Sequence, residues 1–129
     1  MSAEARVRIL QTVLRVAAVV MVFGLLPLSW FWPSGWAWHE GGRNLYFEMI
    51  LGLYATLGVF LFFAARDPLS HRSLIWFTAW SSLVHGAIMM VQALLDHRHF
   101  GHLWGDVPAL FVLAVLIFVL MPKKGWELS

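Results

Sequence analysis

No cysteine occurs among the 129 residues, which excludes disulfides, iron–sulfur clusters, thiolate-bound zinc and a Cys nucleophile. Charge is also scarce. Asp, Glu, Lys and Arg make up 12% of the chain against 60% hydrophobic residues, whereas soluble domains carry about 25% charged and about 45–50% apolar residues. Water is therefore not the main solvent expected for this chain, and any function must sit within or at the edge of a membrane. Three further features are missing. There is no Gly-x-Ser-x-Gly elbow for a serine hydrolase. No block of basic charge is available to follow a nucleic-acid backbone. No small-residue cleavage site follows the first apolar run, so that run is expected to be retained.

What the chain does have is long apolar runs. A spanning helix needs about 20 mostly apolar residues, each rising about 1.5 Å through a hydrocarbon layer about 30 Å thick. Four stretches meet or approach this, predicting a single all-α domain over residues 1–129: an integral membrane four-helix bundle with helices at about 14–32, 45–65, 70–96 and 107–122. The first can run from Val7 to Leu26 with Arg15 near the membrane centre, or from Val16 to Trp32 with Arg15 at the interface. The second is preferred, because an Arg at mid-membrane costs about 2.5–3.5 kcal/mol on insertion scales; Pro27 is then accommodated as a kink. Arg66-Asp67-Pro68 reads as a tight turn with Asp67 at an N-cap and Pro68 at the first helical position. Asp106 is expected to cap the fourth helix, whose first turn tolerates Pro108 because its N–H groups are unpaired anyway.

The two remaining connections are longer: Pro33 to Arg43, rich in Gly and Trp, and Asp96 to Gly105, rich in His. The eight Trp gather mostly near the ends of the apolar runs, where a ring with one N–H donor suits the headgroup boundary. Arg6, Arg8, Arg15, Arg66, Arg72, Lys123 and Lys124 fall on one side of the bundle, and only Arg43 and Arg98 on the other. The excess of positive charge marks the cytoplasmic side, which places both termini in the cytoplasm and the two long loops outside.

The third helix carries a stripe at intervals of three or four residues: Ser82, His85, Met89, Gln92, Asp96 and His99. Such spacing puts them on one face. One reading is packing, with Ala79, Ser82 and Gly86 allowing close helix approach and the polar groups joining helices. The other uses depth: Glu48, Gln92 and Asp106 all fall roughly 10–12 Å from the midplane on the same side, counting helical rise. Ionisable residues inside a membrane are costly enough to suggest a site. A polar pocket open to the outside then follows, floored by His85 and walled by Glu48, Met89, Gln92 and Asp106.

His97, His99, His102 and Asp96, with His39 and Glu40 on the same side, are of the ligand types that hold zinc or copper. The spacing His97-x-His99-x-x-His102 matches no zinc motif, and exposed loop histidines explain it equally well. Haem needs two axial ligands at similar depth, and only His85 is deep, so a second would have to come from another chain. No cofactor is assigned on these grounds. Arg8, Gln11 and Arg15 share a face that reads as an amphipathic lead-in at the headgroups, or as a docking face for a partner or acidic lipid.

Tyr46-Phe-Glu-Met-Ile-Leu-Gly-Leu-Tyr-Ala-Thr-Leu-Gly58, Ala64-Ala-Arg-Asp-Pro-Leu-Ser-His71, Ser73-Leu-Ile-Trp-Phe-Thr-Ala-Trp-Ser-Ser-Leu-Val-His85, Gln92-Ala and Gly105-Asp-Val-Pro108 together resemble a family of small bacterial four-helix membrane proteins with no assigned function. The resemblance covers about residues 44 to 115, and Ala-Arg-Asp-Pro and Gly-Asp-Val-Pro are its most specific parts. It implies the helix count and a bacterial cytoplasmic (inner) membrane location, and it lends no catalytic residue. The function expected first is a non-enzymatic accessory subunit, packing on a larger membrane complex or on copies of itself through faces such as Trp76, Phe77 and Trp80. The second is a stand-alone binder or carrier of a small lipophilic molecule. An enzyme comes third, since no matched nucleophile, base and stabiliser is visible.

Overall fold

A computed structural model describes residues 1–38 and 44–122, all of whose regular structure is helical. The suggested ligands His39 and Glu40, and the charges at Arg43, Lys123 and Lys124, lie outside the described residues. Five helices carry the fold: α1 (Ala3–Phe31), α2 (Pro33–Trp36), α3 (Leu45–Ala64), α4 (Arg72–Leu95) and α5 (Asp106–Leu120), with 3-10 turns at Pro68–His71 and His97–Trp104. Four segments are long and apolar enough to cross a membrane: Ala3–Phe31, Leu45–Ala64, Pro68–Leu95 and His97–Leu120.

The start of α1 corrects the sequence reading. The helix begins at Ala3, capped by the Ser2 side chain on Ala5 N–H, and passes through Arg15 without a break. Leu10 and Leu14 are fully buried while Arg8 and Arg15 stay exposed, so the amphipathic lead-in and the apolar run share one inward face and nothing divides them. Proline causes a change further along. Pro27 has no N–H, and its ring crowds the carbonyl four residues earlier, that of Phe23. Residues Val20–Gly24 form a π-helical turn there, which loosens the hydrogen-bond ladder where the proline would otherwise break it.

The helices associate as two pairs. α1 packs along α3 and α4 packs along α5, while α1 meets α5 more lightly and α3 hardly touches α4 although the shortest connection joins them. Small residues set both pairings: a Cβ on Gly58 would lie 2.9 Å from Val22 Cγ2 and 3.0 Å from the Ala18 carbonyl, and one on Gly86 would lie 3.3 Å from Leu110 Cβ. The pairs meet at the termini end. There Leu10, Leu14, Leu61, Ile75, Ile117 and Leu120 form a continuous core. Polar links close the same end: Arg6 Nη1 donates to the Val119 carbonyl (3.0 Å), Gln11 Nε2 to the Arg66 carbonyl (3.2 Å) and Arg72 Nη2 to the Pro122 carbonyl (2.7 Å). The Arg66-Asp67-Pro68 turn is tight as read, with Pro68 opening a 3-10 turn; the Asp67 carboxylate accepts from the Ser70 hydroxyl.

At the opposite, loop end the described part of the first long connection, residues 33–38, and the second connection are folded segments rather than open loops. The 97–104 turn lies directly on α2, where a Cβ on Gly101 would sit 2.5 Å from the Ser34 carbonyl oxygen and one on Gly105 2.4 Å from that of Gly35. Large apolar side chains, Phe23, Phe60, Trp80 and Val115 among them, cover the outside of the bundle. In water such a surface would be a severe liability; against acyl chains it costs nothing.

Candidate functional site: a cavity between the helix pairs

Between the joined termini end and the packed loop end, a cavity of about 710 Å³ separates α1 and α3 from α4 and α5. It is lined mostly by aliphatic and aromatic side chains, with Trp36, Trp38 and Asn44 around its loop end. Val16 and Val20 of α1 and Val112 and Leu116 of α5 line it and are also exposed on the bundle surface, so one side of the cavity gives onto the region that acyl chains would occupy.

Across the gap between α3 and α4, Tyr54 hydrogen-bonds His85 Nδ1, with ring planes 24° apart. This pair is a polar contact between two helices that otherwise touch little. At the loop end a second group forms around Asp106. Its Oδ2 accepts from Trp38 Nε1 at 2.7 Å and its Oδ1 lies 2.9 Å from His102 Nδ1. His102 Nε2 lies 3.0 Å from the Ala37 carbonyl, and Trp38 stacks on the His102 ring at 3.8 Å between centroids.

Both ring nitrogens of His102 thus face oxygens, those of the Asp106 carboxyl and the Ala37 carbonyl, and both carboxyl oxygens of Asp106 are taken up by Trp38 and His102.

The cavity brings together His85, Met89, Gln92 and Asp106, four of the residues read from the sequence as one pocket. Glu48 is a correction. It is exposed in the first turn of α3 and does not line the cavity, whose α3 wall is Tyr46, Phe47, Ile50, Leu51 and Tyr54. Depth counting put Glu48 at a suitable level, but its neighbour Phe47 holds the inward face and one residue turns a helix by about 100°. Asp106 is a second correction. Gly105 occupies the N-cap of α5 with no side-chain cap, and the Asp106 carboxylate is turned instead to Trp38 and His102. Pro108 does sit in the first turn of α5.

The suggested metal ligands do not converge. Among the described residues no group of three or more His, Cys, Asp or Glu is placed to hold a metal ion. His102 is committed through both ring nitrogens, His97 packs on Phe100, and His99 stacks on Trp38. Asp96 pairs with Arg98 at 2.8 Å. Side-chain and backbone hydrogen bonds from Arg98 hold its carboxyl down at about 2. Folding thus favours the carboxylate. Whatever the pair contributes is present above the ordinary carboxylate range and is lost as the pH falls toward 2. Because Asp96 is open to solvent, that contribution is small. The expected result is an Asp96 titration near 2 by NMR, moving up toward the ordinary carboxylate range in Arg98→Ala, which loses the guanidinium but keeps the backbone N–H at position 98; an unchanged titration would show that the Arg98 side chain does not hold the carboxylate.

Tyr54, Trp36, Trp38 and Asn44 were not picked out from the sequence. For Tyr54 a signal exists: of two tyrosines in the chain, it is the one in the middle of an apolar run, where a phenol hydroxyl needs a partner. Trp38 offers no comparable signal, since its partner is 68 positions away.

These features define a class: a small all-helical bundle built for an apolar surrounding, with a mostly apolar cavity that holds a few polar groups. The chain belongs to DUF6632, a family of unknown function that matches residues 4–129. Comparisons with curated proteins and with solved structures find no match.

Proposed function

We propose that this protein is a non-enzymatic integral membrane protein that binds or carries a small lipophilic molecule in the cavity between its helix pairs. The carrying observation is the cavity itself: about 710 Å³, predominantly apolar, with a few polar groups. Sites for small organic molecules run from about 300 to 1,000 Å³ with that same character. A partner helix is the wrong size. At about 10 Å across and about 30 Å long it fills about 2,400 Å³. The exposed lining residues of α1 and α5 let the ligand enter sideways from the bilayer. An accessory-subunit role has only the apolar outer face behind it, and lipid alone covers such a face. The positive charge near the termini supports placing both termini in the cytoplasm, with the cavity mouth toward the outer side of a bacterial inner membrane.

The test uses the protein in lipid nanodiscs and the uncharged fluorophore N-phenyl-1-naphthylamine. Wild type is expected to raise its fluorescence saturably above that of empty discs. Leu51→Trp and Ala109→Trp, which fill the cavity from opposite walls, are expected to weaken binding at least about tenfold, a loss of about 1.4 kcal/mol. Signal no greater than that of empty discs, or wild-type binding in both filled variants, rejects the reading.

A further inference from the structure

Resting on the cavity reading, we propose a class for the ligand: an uncharged lipophile bearing a carbonyl-type oxygen, which accepts a hydrogen bond from His85 Nε2 within the cavity. Three observations lead there.

The first concerns the proton on His85. Tyr54 pairs with Nδ1, and among the described residues its hydroxyl has no other acceptor. Either tautomer leaves one donor of the pair without a protein acceptor, so the stronger pairing decides: a phenol O–H is a better donor than an imidazole N–H, and an imidazole nitrogen a better acceptor than a phenol oxygen. Tyr54 O–H therefore donates to Nδ1, which leaves the ring proton on Nε2. Tyr54 thereby makes His85 a fixed donor.

The second concerns where that donor points. His85 lines the cavity and is only partly buried. Among the described residues no hydrogen bond reaches Nε2, and Nε2 is not among the buried polar atoms sealed off by protein. A donor in an apolar cavity with no protein acceptor selects a guest that brings one, because an unmet donor costs more than a met one gains.

The third concerns charge. Among the described residues no Lys, Arg or Glu lines the cavity, and the Asp106 carboxyl is taken up by Trp38 and His102. An anionic head finds no counter-charge and a cationic head finds no free carboxylate, so an ion would pay its desolvation unrelieved. A neutral acceptor on an apolar body meets no such cost. Ketones, quinones and esters belong to this class; a plain hydrocarbon does not.

The test compares two probes of equal length, 2-undecanone carrying ¹³C at its carbonyl and undecane, as competitors of N-phenyl-1-naphthylamine on the protein in nanodiscs. After correction for partition into empty discs, the ketone is expected to compete about threefold to tenfold better in wild type, the range for one neutral hydrogen bond. That preference is expected to vanish in His85→Phe. In wild type the labelled carbonyl stretch of bound ketone is expected to move to lower wavenumber, a direct mark of the hydrogen bond that does not depend on any variant folding. Tyr54→Phe, which frees the tautomer, is expected to weaken the shift. Equal competition by both probes with an unshifted carbonyl band overturns the ligand class and leaves the cavity reading standing. Failure of wild type to bind the fluorophore at all overturns both.

Discussion

Asp106→Ala is expected to be the most damaging single substitution, lowering stability by about 3–5 kcal/mol, the usual result of removing one partner from a buried pair. Its carboxylate accepts from Trp38 and pairs with His102, and neither has a ready substitute. His102 is 1% exposed, so its Nδ1 would be stranded away from water. Asp106→Asn keeps an oxygen for Trp38 and an amide for His102, and should lose much less. The measurement is thermal unfolding of both variants in mild detergent, followed by circular dichroism. An Asp106→Ala variant that melts with wild type would show that the loop end is held by other contacts and that the carboxylate does not join it.

Gly105→Ala is expected to cost about 1–3 kcal/mol or more through overpacking. A methyl there meets backbone rather than a side chain that can swing away: 2.4 Å to the Gly35 carbonyl oxygen, 2.7 Å to its Cα. α2 must back off, and with it the Trp38–Asp106 hydrogen bond a few residues on. Gly101→Ala should behave alike, its Cβ falling 2.5 Å from the Ser34 oxygen. Gly52→Ala is the contrast. Nothing lies within 4 Å of the added methyl, and a helix interior prefers Ala to Gly by about 0.5–1 kcal/mol. Opposite shifts of melting temperature for Gly105→Ala and Gly52→Ala are the expected pattern; parallel shifts would mean that the close approach of α2 to the 97–104 turn is not what requires glycine.

How far the chain could be read follows from what each feature depends on. The spanning segments were legible because length and apolarity are local properties, and the Arg66-Asp67-Pro68 turn because proline and its neighbours act within a few residues. His85, Met89 and Gln92 were legible as one face of one helix. Glu48 was misplaced for a related reason: depth along a helix follows from counting residues, but which way a residue faces follows from what the helix packs against. In an apolar chain all faces read alike, so Phe47, Ile50 and Leu51 gave no sign that they, and not Glu48, looked inward, and the one hint was the phenol of Tyr54. Asp106 was misread because a carboxylate at a helix start has a local use as a cap, and only the fold brings Trp38 close enough to compete. The folding of the two loops onto each other was hidden likewise, since it rests on Gly101 and Gly105 meeting Ser34 and Gly35 from far along the chain.

The π-helical turn in α1 has a consequence for phase. Leu10, Leu14, Ala18 and Met21 follow the ordinary helical repeat on the buried side, and the next buried residue in the helix is Ser29. At about 100° per residue the step from Leu10 to Ser29 leaves a side chain about 100° out of line. The wide turn at Val20–Gly24 absorbs one residue, and Ser29 returns to the buried side. α1 is thus two in-phase helices joined by a one-residue offset, and the last two turns can be rotated against the bundle by shortening or lengthening that turn without disturbing the first five.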